Sequence, residues 1–328
     1  MSLDPHSDIV RISLPTPFPV GPVNVFLVKD EAPLLIDAAC RMPHAYERLV
    51  SRLRENGLRV SDIRRVLLTH GHLDHVGLLS EIVAESGAEV YAHPYVIEQY
   101  RSYEEGIDEN HQFLAEMMHR FGVPGEKVAL VAASRSGLKD LAAQVDIQHA
   151  VMDGDTVAGF EAYHVPGHSA TDTLYYDPRR RIAFVGDHLL RNISPNPLLR
   201  KPREGEARVK SLLEYKHSLR RTYKLDIDLC YPGHGEPFGN HRRIIEDLLQ
   251  RHDRRTAAIL ALLGNPARHA LTPYEVALKL FPKIDLKMLH LGLSVAIGHL
   301  EVLEDRNQAV AEDRDGVVYY RGRLKAEG

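Results

Sequence analysis

The stretch LLTHGHLDHVG, residues 67–77, places three histidines and one aspartate directly behind a short apolar run. The residues from 65 to 69 are mostly apolar, which predicts a buried strand. The polar side chains then fall in the loop where that strand would pass into a helix: His70, His72, Asp74 and His75. Neutral imidazoles and carboxylates are ligands that suit zinc. One such histidine would be incidental in a polar loop, but four ligand-type side chains at this spacing predict half of a metal site.

Three later segments supply further candidate ligands, each at the end of a predicted strand and beside a glycine. They are His168 in PGHS, Asp187 in VGD and His234 in YPGHG. Glycine lets the backbone approach a crowded centre because it has no Cβ atom. Each segment alone is a modest signal. Four of them in order, all at strand ends, predict one shared metal centre.

The whole composition sets limits on the kind of protein. The chain has 328 residues, which favours one large domain plus a smaller one. Its formal net charge of −4 gives no electrostatic reason to expect nucleic acid or an anionic membrane as a partner. The only cysteines are Cys40 and Cys230, so neither a disulfide framework nor a cysteine-based zinc site is expected. We expect a cytoplasmic protein without a membrane span, and we interpret both cysteines as small buried side chains.

Strand and helix patterns alternate through the first part of the chain, which predicts layered α/β structure. A polar, mostly helical segment from about 95 to 145 interrupts them and is predicted to be a helical insertion. Strands are predicted again from Val151 onward. After a break at Gly264-Asn-Pro266, two helices and a hairpin turning at Asp315-Gly316 suggest a small winged-helix-like module. The predicted domains are therefore residues 1–252, including the insertion, and residues 253–328.

The motifs THGHLDH at 69–75, PGHS at 166–169, VGD at 185–187 and YPGHG at 231–235 resemble those of the metallo-β-lactamase-fold hydrolase superfamily. The resemblance spans about residues 9–250. It implies an α/β (α+β) fold, the αββα metallo-β-lactamase sandwich, with two metal ions between the loop ends of its sheets. The tail from residue 253 resembles the winged-helix-like C-terminal domain of some members, including the endoribonuclease-like branch that contains lactamase-β-like protein 2.

The resemblance also implies a role for each candidate ligand. One metal would be held by His70, His72 and His168, the other by Asp74, His75 and His234, with Asp187 bridging both. The implied cofactor is Zn²⁺, two ions per chain, with iron and manganese as alternatives. No cysteine stands at a ligand position, which resembles the glyoxalase II-like branch more than true β-lactamases. His72 stands where the flavodiiron branch carries a glutamate, and this disfavours oxygen-reducing iron chemistry.

Two divalent ions that share a ligand lower the pKa of a bound water towards neutrality, and one of them can polarise a carbonyl or phosphoryl oxygen. Asp74 is the predicted catalytic residue, because its carboxylate can hold the hydroxide by a hydrogen bond while it binds the second metal. Asp37 ends a predicted strand near the cluster. It either orients a ligand histidine or caps a turn, and the sequence favours neither.

Other polar residues near these motifs carry weaker signals. His188 adjoins Asp187 and is predicted to be a satisfied loop residue rather than a substrate contact. His93 is interpreted as structural, and His111 and His119 as solvated. Ser169 and Asp172 lie beside a histidine, but His168 is already a candidate ligand and no G-x-S-x-G motif accompanies them.

The predicted function is a dinuclear-metal-dependent hydrolase, in which metal-bound hydroxide attacks a thioester, ester or lactone carbonyl. The alternative is a metal-dependent nuclease of the endoribonuclease-like type. Residues 253–328 contain 11 Lys and Arg against 10 Asp and Glu, so their charge gives little support for phosphate binding. Purely structural metals are disfavoured because structural zinc sites are usually closed and rich in cysteine. The expected partner is a small-molecule substrate, with nucleic acid and membrane disfavoured and a homodimer left open.

The insertion carries an apolar stripe at helical spacing: Phe113, Leu114, Met117, Met118 and Phe121. The sequence leaves two interpretations of it open. Either the stripe packs as core against another helix or a partner subunit, or the insertion is a lid whose stripe forms an apolar wall for an acyl group of the substrate.

Overall fold

A computed structural model describes residues 7–202, 205–264 and 270–323. Contacts divide the chain into two compact units. We call the first, residues 1–106, 137–195 and 221–244, the sandwich unit, and the second, residues 107–136, 196–220 and 245–328, the helical unit. The helical unit thus contains the middle of the predicted insertion as well as the predicted C-terminal module. This division differs from the predicted boundary at 252/253.

The sandwich unit contains two β-sheets. Its strands are β1 (Ile9–Leu14), β2 (Val23–Val28), β3 (Leu34–Ile36), β4 (Arg65–Leu67), β5 (Glu89–Ala92), β6 (His149–Ala150), β7 (Thr156–Val157), β8 (Phe160–His164), β9 (Thr173–Asp177), β10 (Ile182–Gly186) and β11 (Leu229–Pro232). The first sheet follows chain order from β1 to β6, and it is antiparallel up to β3 and parallel from there on. The second has the order β11-β10-β9-β8-β7.

Strand directions bring the predicted ligand loops to common edges. In the second sheet β10 and β11 are parallel, while β9 is antiparallel to both β8 and β10. The three strands β8, β10 and β11 therefore run in one direction, and their carboxyl ends meet at one edge. These are the strands that precede His168, Asp187 and His234. The mixed sheets and helices have the architecture of the predicted αββα sandwich, so the predicted fold class is confirmed.

Apolar side chains from both sheets form one core. Strand β2 is buried at every position, because its residues face the core on one side and helices on the other. Aromatic rings connect the sheets: Phe26 of the first lies 5.4 Å from Phe184 and 5.3 Å from Tyr231 of the second, measured between ring centroids. This core holds the strand ends at fixed positions.

The helices are α1 (Ala45–Glu55), α2 (Leu73–Val76), α3 (Leu79–Ser86), α4 (Pro94–Arg101), α5 (Tyr103–Arg120), α6 (Gly125–Ser134), α7 (Ser211–Tyr223), α8 (His241–Leu263), α9 (Pro273–Leu280) and α10 (Leu289–Asp305). The helical unit also contains a hairpin of β12 (Ala309–Arg314) and β13 (Val317–Gly322), which turns at Asp315-Gly316 as predicted. Helix α9 begins with a capping box, in which Thr272 accepts from the N–H of Glu275 and the Glu275 carboxylate accepts from the N–H of Thr272. Two helices followed by a hairpin agree with the predicted element order. The winged-helix comparison itself stays a prediction.

The apolar stripe of the insertion lies in the core of the helical unit. Met118 and Phe121 are buried at 1% and 2% exposure, and they pack with residues of α6, α9 and α10. Leu114 and Met117 lie partly buried against the same cluster. The interpretation of the stripe as core is confirmed. Because these apolar faces cover one another, residues 107–136 fold with the C-terminal helices rather than as a separate insertion.

Helix α10 is long and rich in apolar side chains. Together with the turn before it, residues 286–305, it is long and apolar enough to cross a membrane by length and composition alone. However, 67% of its most apolar window is buried inside the fold. This is typical of a central core helix, and the remaining polar residues of the helix are also largely buried, among them His299 and Glu301.

Candidate metal centre

The structure brings all seven predicted ligands together at the strand ends of the sandwich unit. Their side chains fall into three overlapping groups whose donor atoms lie within 4.8 Å of one another. The groups are His70, His72 and His168; His70, His75 and Asp187; and Asp74, His75 and His234. Residues separated by more than 160 positions in the chain therefore share one centre, as the motif spacing predicted.

Three imidazole nitrogens of the first group point at one another. His72 Nδ1 lies 2.9 Å from His70 Nε2 and 3.0 Å from His168 Nε2. Burial lowers the pKa of His72 to about 4 and that of His70 well below its usual value. The rings of His70 and His72 are therefore neutral at pH 7, and their lone pairs are available to a cation.

The second group combines a carboxylate with two histidines. His234 Nε2 lies 3.4 Å from Asp74 Oδ2. Burial acts to raise the pKa of Asp74, but the adjacent rings of His234 and His75 outweigh it and lower the pKa overall. Asp74 is thus a carboxylate that carries its negative charge at neutral pH, which is the form that binds a divalent ion.

Asp187 lies between the two groups. Its Oδ1 is 3.6 Å from His75 Nε2, and its Oδ2 is 3.5 Å from His168 Nε2 and 3.6 Å from His234 Nε2. Burial raises the pKa of this carboxyl group, and the nearby histidines act against that effect. One carboxylate therefore reaches donor atoms of both groups, which is the geometry expected of a bridging ligand.

Several of these buried atoms have no hydrogen-bond partner, and this tests whether a metal fits. They are His75 Nε2, Asp187 Oδ1 and His234 Nε2. Leaving a buried polar atom unsatisfied costs about 1–3 kcal/mol, so such atoms usually indicate a role outside the hydrogen-bond network. Imidazole nitrogens and carboxylate oxygens turned toward a common point are the donors that divalent transition metals bind. The donor set fits a metal centre.

The second ring nitrogens of His75 and His234 have partners outside the centre. His75 Nδ1 lies 2.8 Å from Asp37 Oδ2, and His234 Nδ1 lies 2.9 Å from the carbonyl oxygen of Pro22. Burial acts to lower the pKa of His75, but Asp37 outweighs it and raises the pKa to about 10. These partners fix each ring so that Nε2 faces the centre. For Asp37 the structure therefore favours the orienting role over the turn cap.

Glycines allow the close approach that the motifs predicted. A Cβ atom at Gly233 would lie 2.4 Å from Asp187 Oδ1, and one at Gly186 would lie 2.7 Å from Thr69 Oγ1. Gly186 also has a left-handed φ of 48°, which other residues rarely adopt. Any side chain at either position would displace the bridge or the loop that carries His70.

Comparison with known proteins agrees with this geometry. The family model described as "Metallo-beta-lactamase superfamily" matches residues 18–234, a span that contains all seven candidate ligands. The chain belongs to the metallo-beta-lactamase superfamily. Members of this superfamily bind divalent metals, and the chain is a metal-dependent hydrolase of that superfamily.

Individual relatives cover different shares of the chain. A Bacillus subtilis protein named "Probable metallo-hydrolase YqjP" is 33% identical over 96% of this chain and 98% of its own length. The Haemophilus influenzae hydroxyacylglutathione hydrolase GloC is 28% identical over 44% of this chain and 56% of its own length. A crystal structure of a Thermus thermophilus metallo-beta-lactamase family protein matches 96% of this chain and 99% of its own, with a TM-score of 0.79 and 26% identity.

Other polar residues that the sequence singled out lie outside the donor set of this superfamily site. His188 is buried, and its Nε2 lies 2.9 Å from Thr222 Oγ1, as expected of a satisfied residue. His93 caps α4 by accepting from the N–H of Tyr95, which agrees with a structural role. Cys40 and Cys230 are both buried. Burial raises the pKa of each thiol, so neither behaves as a reactive thiolate.

Sequence reasoning missed residues that hold the ligand loops without binding a metal themselves. Thr69 donates its backbone N–H to Asp37 Oδ1 at 2.7 Å and its hydroxyl to Asp37 Oδ2 at 2.8 Å. Gln99, Tyr100 and Thr171 contact the backbone of Gly71. Thr69 and Thr171 lie inside the recognised motifs or next to them, which was a usable signal. Gln99 and Tyr100 lie in a helix with no such signal.

Proposed function

We propose that the chain is a dinuclear, zinc-dependent hydrolase that cleaves a thioester, ester or lactone by attack of water on the carbonyl carbon. The observation that carries this proposal is the position of Asp187 between two groups of buried donor atoms. Seven donors exceed the four that one tetrahedral zinc ion uses. Two ions that share a carboxylate would use the whole set.

Two divalent ions at this centre would supply Lewis acidity and lower the pKa of a bound water. The protein's own part is to hold His70 and His72 neutral by burial, and to keep Asp74 ionised beside His234. Asp74 is the proposed catalytic residue, because its carboxylate can accept a hydrogen bond from the attacking water and so orient that water.

The substrate class is proposed by comparison with the relatives. GloC is named as a hydrolase of hydroxyacylglutathione, which is a thioester, and its similarity to this chain covers 44% of the chain. The alternative nuclease function is not supported by an excess of positive charge for binding phosphates, since residues 253–328 carry nearly equal numbers of acidic and basic side chains. A carbonyl substrate is therefore favoured over a phosphodiester.

The proposal is tested by a hydrolysis panel on protein of known metal content. The panel contains an acyl thioester, an aryl ester, a lactone, a phosphodiester and a β-lactam. We expect turnover of at least one of the first three, abolished by chelation and restored by zinc. Turnover of the phosphodiester alone would contradict the proposal in favour of the nuclease alternative.

Asp187→Ala and His188→Ala provide a matched pair of neighbouring residues. Removing the shared carboxylate should lower kcat/KM by at least about 100-fold, since even outer partners of a metal site contribute about 10–100-fold. His188 bonds to Thr222 and should affect protein stability more than turnover per folded molecule. Equal losses of activity at full metal occupancy in both variants would contradict the bridging role.

A further inference from the structure

Gly71 lies between His70 and His72, and side chains from two other segments hold both of its backbone polar groups. Its carbonyl oxygen accepts hydrogen bonds from Gln99 Nε2 at 3.0 Å and from the Tyr100 hydroxyl at 3.2 Å. Its N–H donates to Thr171 Oγ1 at 3.1 Å. A peptide group held on both sides cannot rotate freely, and its orientation sets the directions of the flanking side chains.

The hydroxyl of Thr171 is itself oriented by its neighbours. Ser169 Oγ donates to Asp172 Oδ1 at 2.9 Å, so the proton of Ser169 is already used. The contact of 3.0 Å between Ser169 Oγ and Thr171 Oγ1 must then use the proton of Thr171. The lone pairs of Thr171 Oγ1 remain for the N–H of Gly71. Ser169 and Asp172 thus form a hydrogen-bonded chain that orients the Thr171 hydroxyl.

A backbone hydrogen bond joins the same two segments nearby. The N–H of Thr173 donates to the carbonyl oxygen of Thr69 at 2.7 Å. The segment that carries His168 is therefore tied to the segment that carries His70 and His72 on both sides of His70. This explains how His72 Nδ1 can lie 2.9 Å from His70 Nε2 and 3.0 Å from His168 Nε2 although His168 comes from a distant part of the chain.

Helix α4 supplies the other half of this arrangement. Tyr100 is fully buried, and its ring stacks on that of Tyr103 with centroids 5.3 Å apart and an interplanar angle of 12°. A Cβ atom at position 71 would lie 2.7 Å from Gln99 Oε1. The helix therefore packs directly on the loop between the two histidines, and a side chain at position 71 would push Gln99 away from the Gly71 carbonyl oxygen.

We propose that Gln99, Tyr100 and Thr171 are positioning residues that preorganise His70, His72 and His168 for one of the two metal ions. The inference rests on the proposed metal-dependent function. None of the three side chains is a ligand. Each acts through the Gly71 peptide, so its loss should weaken metal binding at one group of donors and leave the other group unaffected.

The test uses full-length, metal-free protein and zinc alone as the probe. Zinc affinities are measured by competition with a chromophoric chelator, which resolves two binding steps. The variants are Thr171→Val and Tyr100→Phe, which remove a hydroxyl with little change of shape. Thr171→Ser keeps the hydroxyl and should rescue binding. Tyr103→Phe is the control, because the Tyr103 hydroxyl bonds to the carbonyl oxygens of Leu138 and Lys139 rather than to Gly71.

We expect Thr171→Val and Tyr100→Phe each to weaken one zinc-binding step by about 10-fold or more, the size seen for outer partners of metal ligands. Asp37→Asn should weaken the other step more, because the Asp37 carboxylate contacts the ring of His75 directly and contacts no ring of the first group. The absorption spectrum of the cobalt-substituted protein should differ from the wild-type spectrum in Thr171→Val and match it in Thr171→Ser. The Tm of the metal-free Thr171→Val and Tyr100→Phe proteins should fall no further than the Tm of the Tyr103→Phe protein.

Unchanged zinc affinities in Thr171→Val and Tyr100→Phe would overturn the inference. Losses of zinc affinity that merely accompany a fall in Tm, to the same extent as in Tyr103→Phe, would overturn it too. A wild-type protein that binds two zinc ions but hydrolyses no carbonyl substrate would refute the proposed function alone and leave the positioning role measurable. A wild-type protein that binds no zinc would overturn both.

Discussion

Asp37 follows β3 with a left-handed φ of 64°, and its carboxylate contacts both Thr69 and His75. Asp and Asn are among the few residues that tolerate this backbone conformation, so Asp37→Asn changes the charge without adding strain. The loss of the negative partner at His75 Nδ1 should weaken metal binding at the second group by about 10–100-fold.

This prediction is checked by zinc competition on the Asp37→Asn protein. Asp177→Asn is a control with a similarly buried carboxylate, since Asp177 bonds to Arg180 and to the turn after β9. An Asp37→Asn variant that binds zinc like the wild type would show that Asp37 only caps the turn.

At the level of single elements, helix α5 shows what a periodic pattern can and cannot predict. The stripe that ends at Phe121 predicted an amphipathic helix, and that helix is present. The pattern could not identify which surface would cover the stripe, because periodicity within one helix carries no information about its packing partner. The structure shows that the partners are α6, α9 and α10.

Phe121→Ala should therefore reduce the free energy of unfolding by about 3–5 kcal/mol, as expected for a buried phenylalanine. Leu130→Ala, at a leucine that is 56% exposed, should have little effect. Urea denaturation of the metal-free proteins measures both. If instead Phe121→Ala raised KM for long acyl substrates without loss of stability, the stripe would be a substrate wall after all.

Helices α8 and α10 place two histidines in the core of the helical unit. Burial lowers the pKa of His252 to about 4, and neither of its ring nitrogens has a hydrogen-bond partner. The charged and titratable groups that affect it are Lys216, Arg251, Asp253, Arg255 and His299. Because the folded-state pKa lies below the unfolded value of 6.5, stability is complete above pH 6.5 and is lost as the pH falls toward 4.

His252→Leu should reduce this pH dependence. The free energy of unfolding that is lost between pH 7 and pH 4 should be about 2–3 kcal/mol smaller than in the wild type. His119→Leu, at an exposed histidine of α5, is the matched control and should leave the curve unchanged. The measurement is the free energy of unfolding between pH 4 and pH 8. Parallel curves for His252→Leu and the wild type would show that His252 is not the group responsible.

For the whole molecule, the sequence was sufficient to predict the sandwich fold and the seven side chains that the structure brings together. Strand-end motifs such as 67–77 combine a local β pattern with ligand chemistry, and both are visible in a short window. The grouping of residues 107–136 with the C-terminal helices was not predictable in this way. It depends on long-range burial of apolar faces, as do the contacts of Gln99 and Tyr100 with Gly71.

Asp187 and the six side chains around it are proposed to form one centre for two metal ions. The most direct measurement is the metal content of protein purified without chelators, determined by elemental mass spectrometry and by zinc titration of the metal-free chain. We expect close to two divalent transition-metal ions per chain, and weaker binding of both ions in Asp187→Ala. A protein without bound transition metal, or one that binds a single ion equally well with and without Asp187, would contradict it.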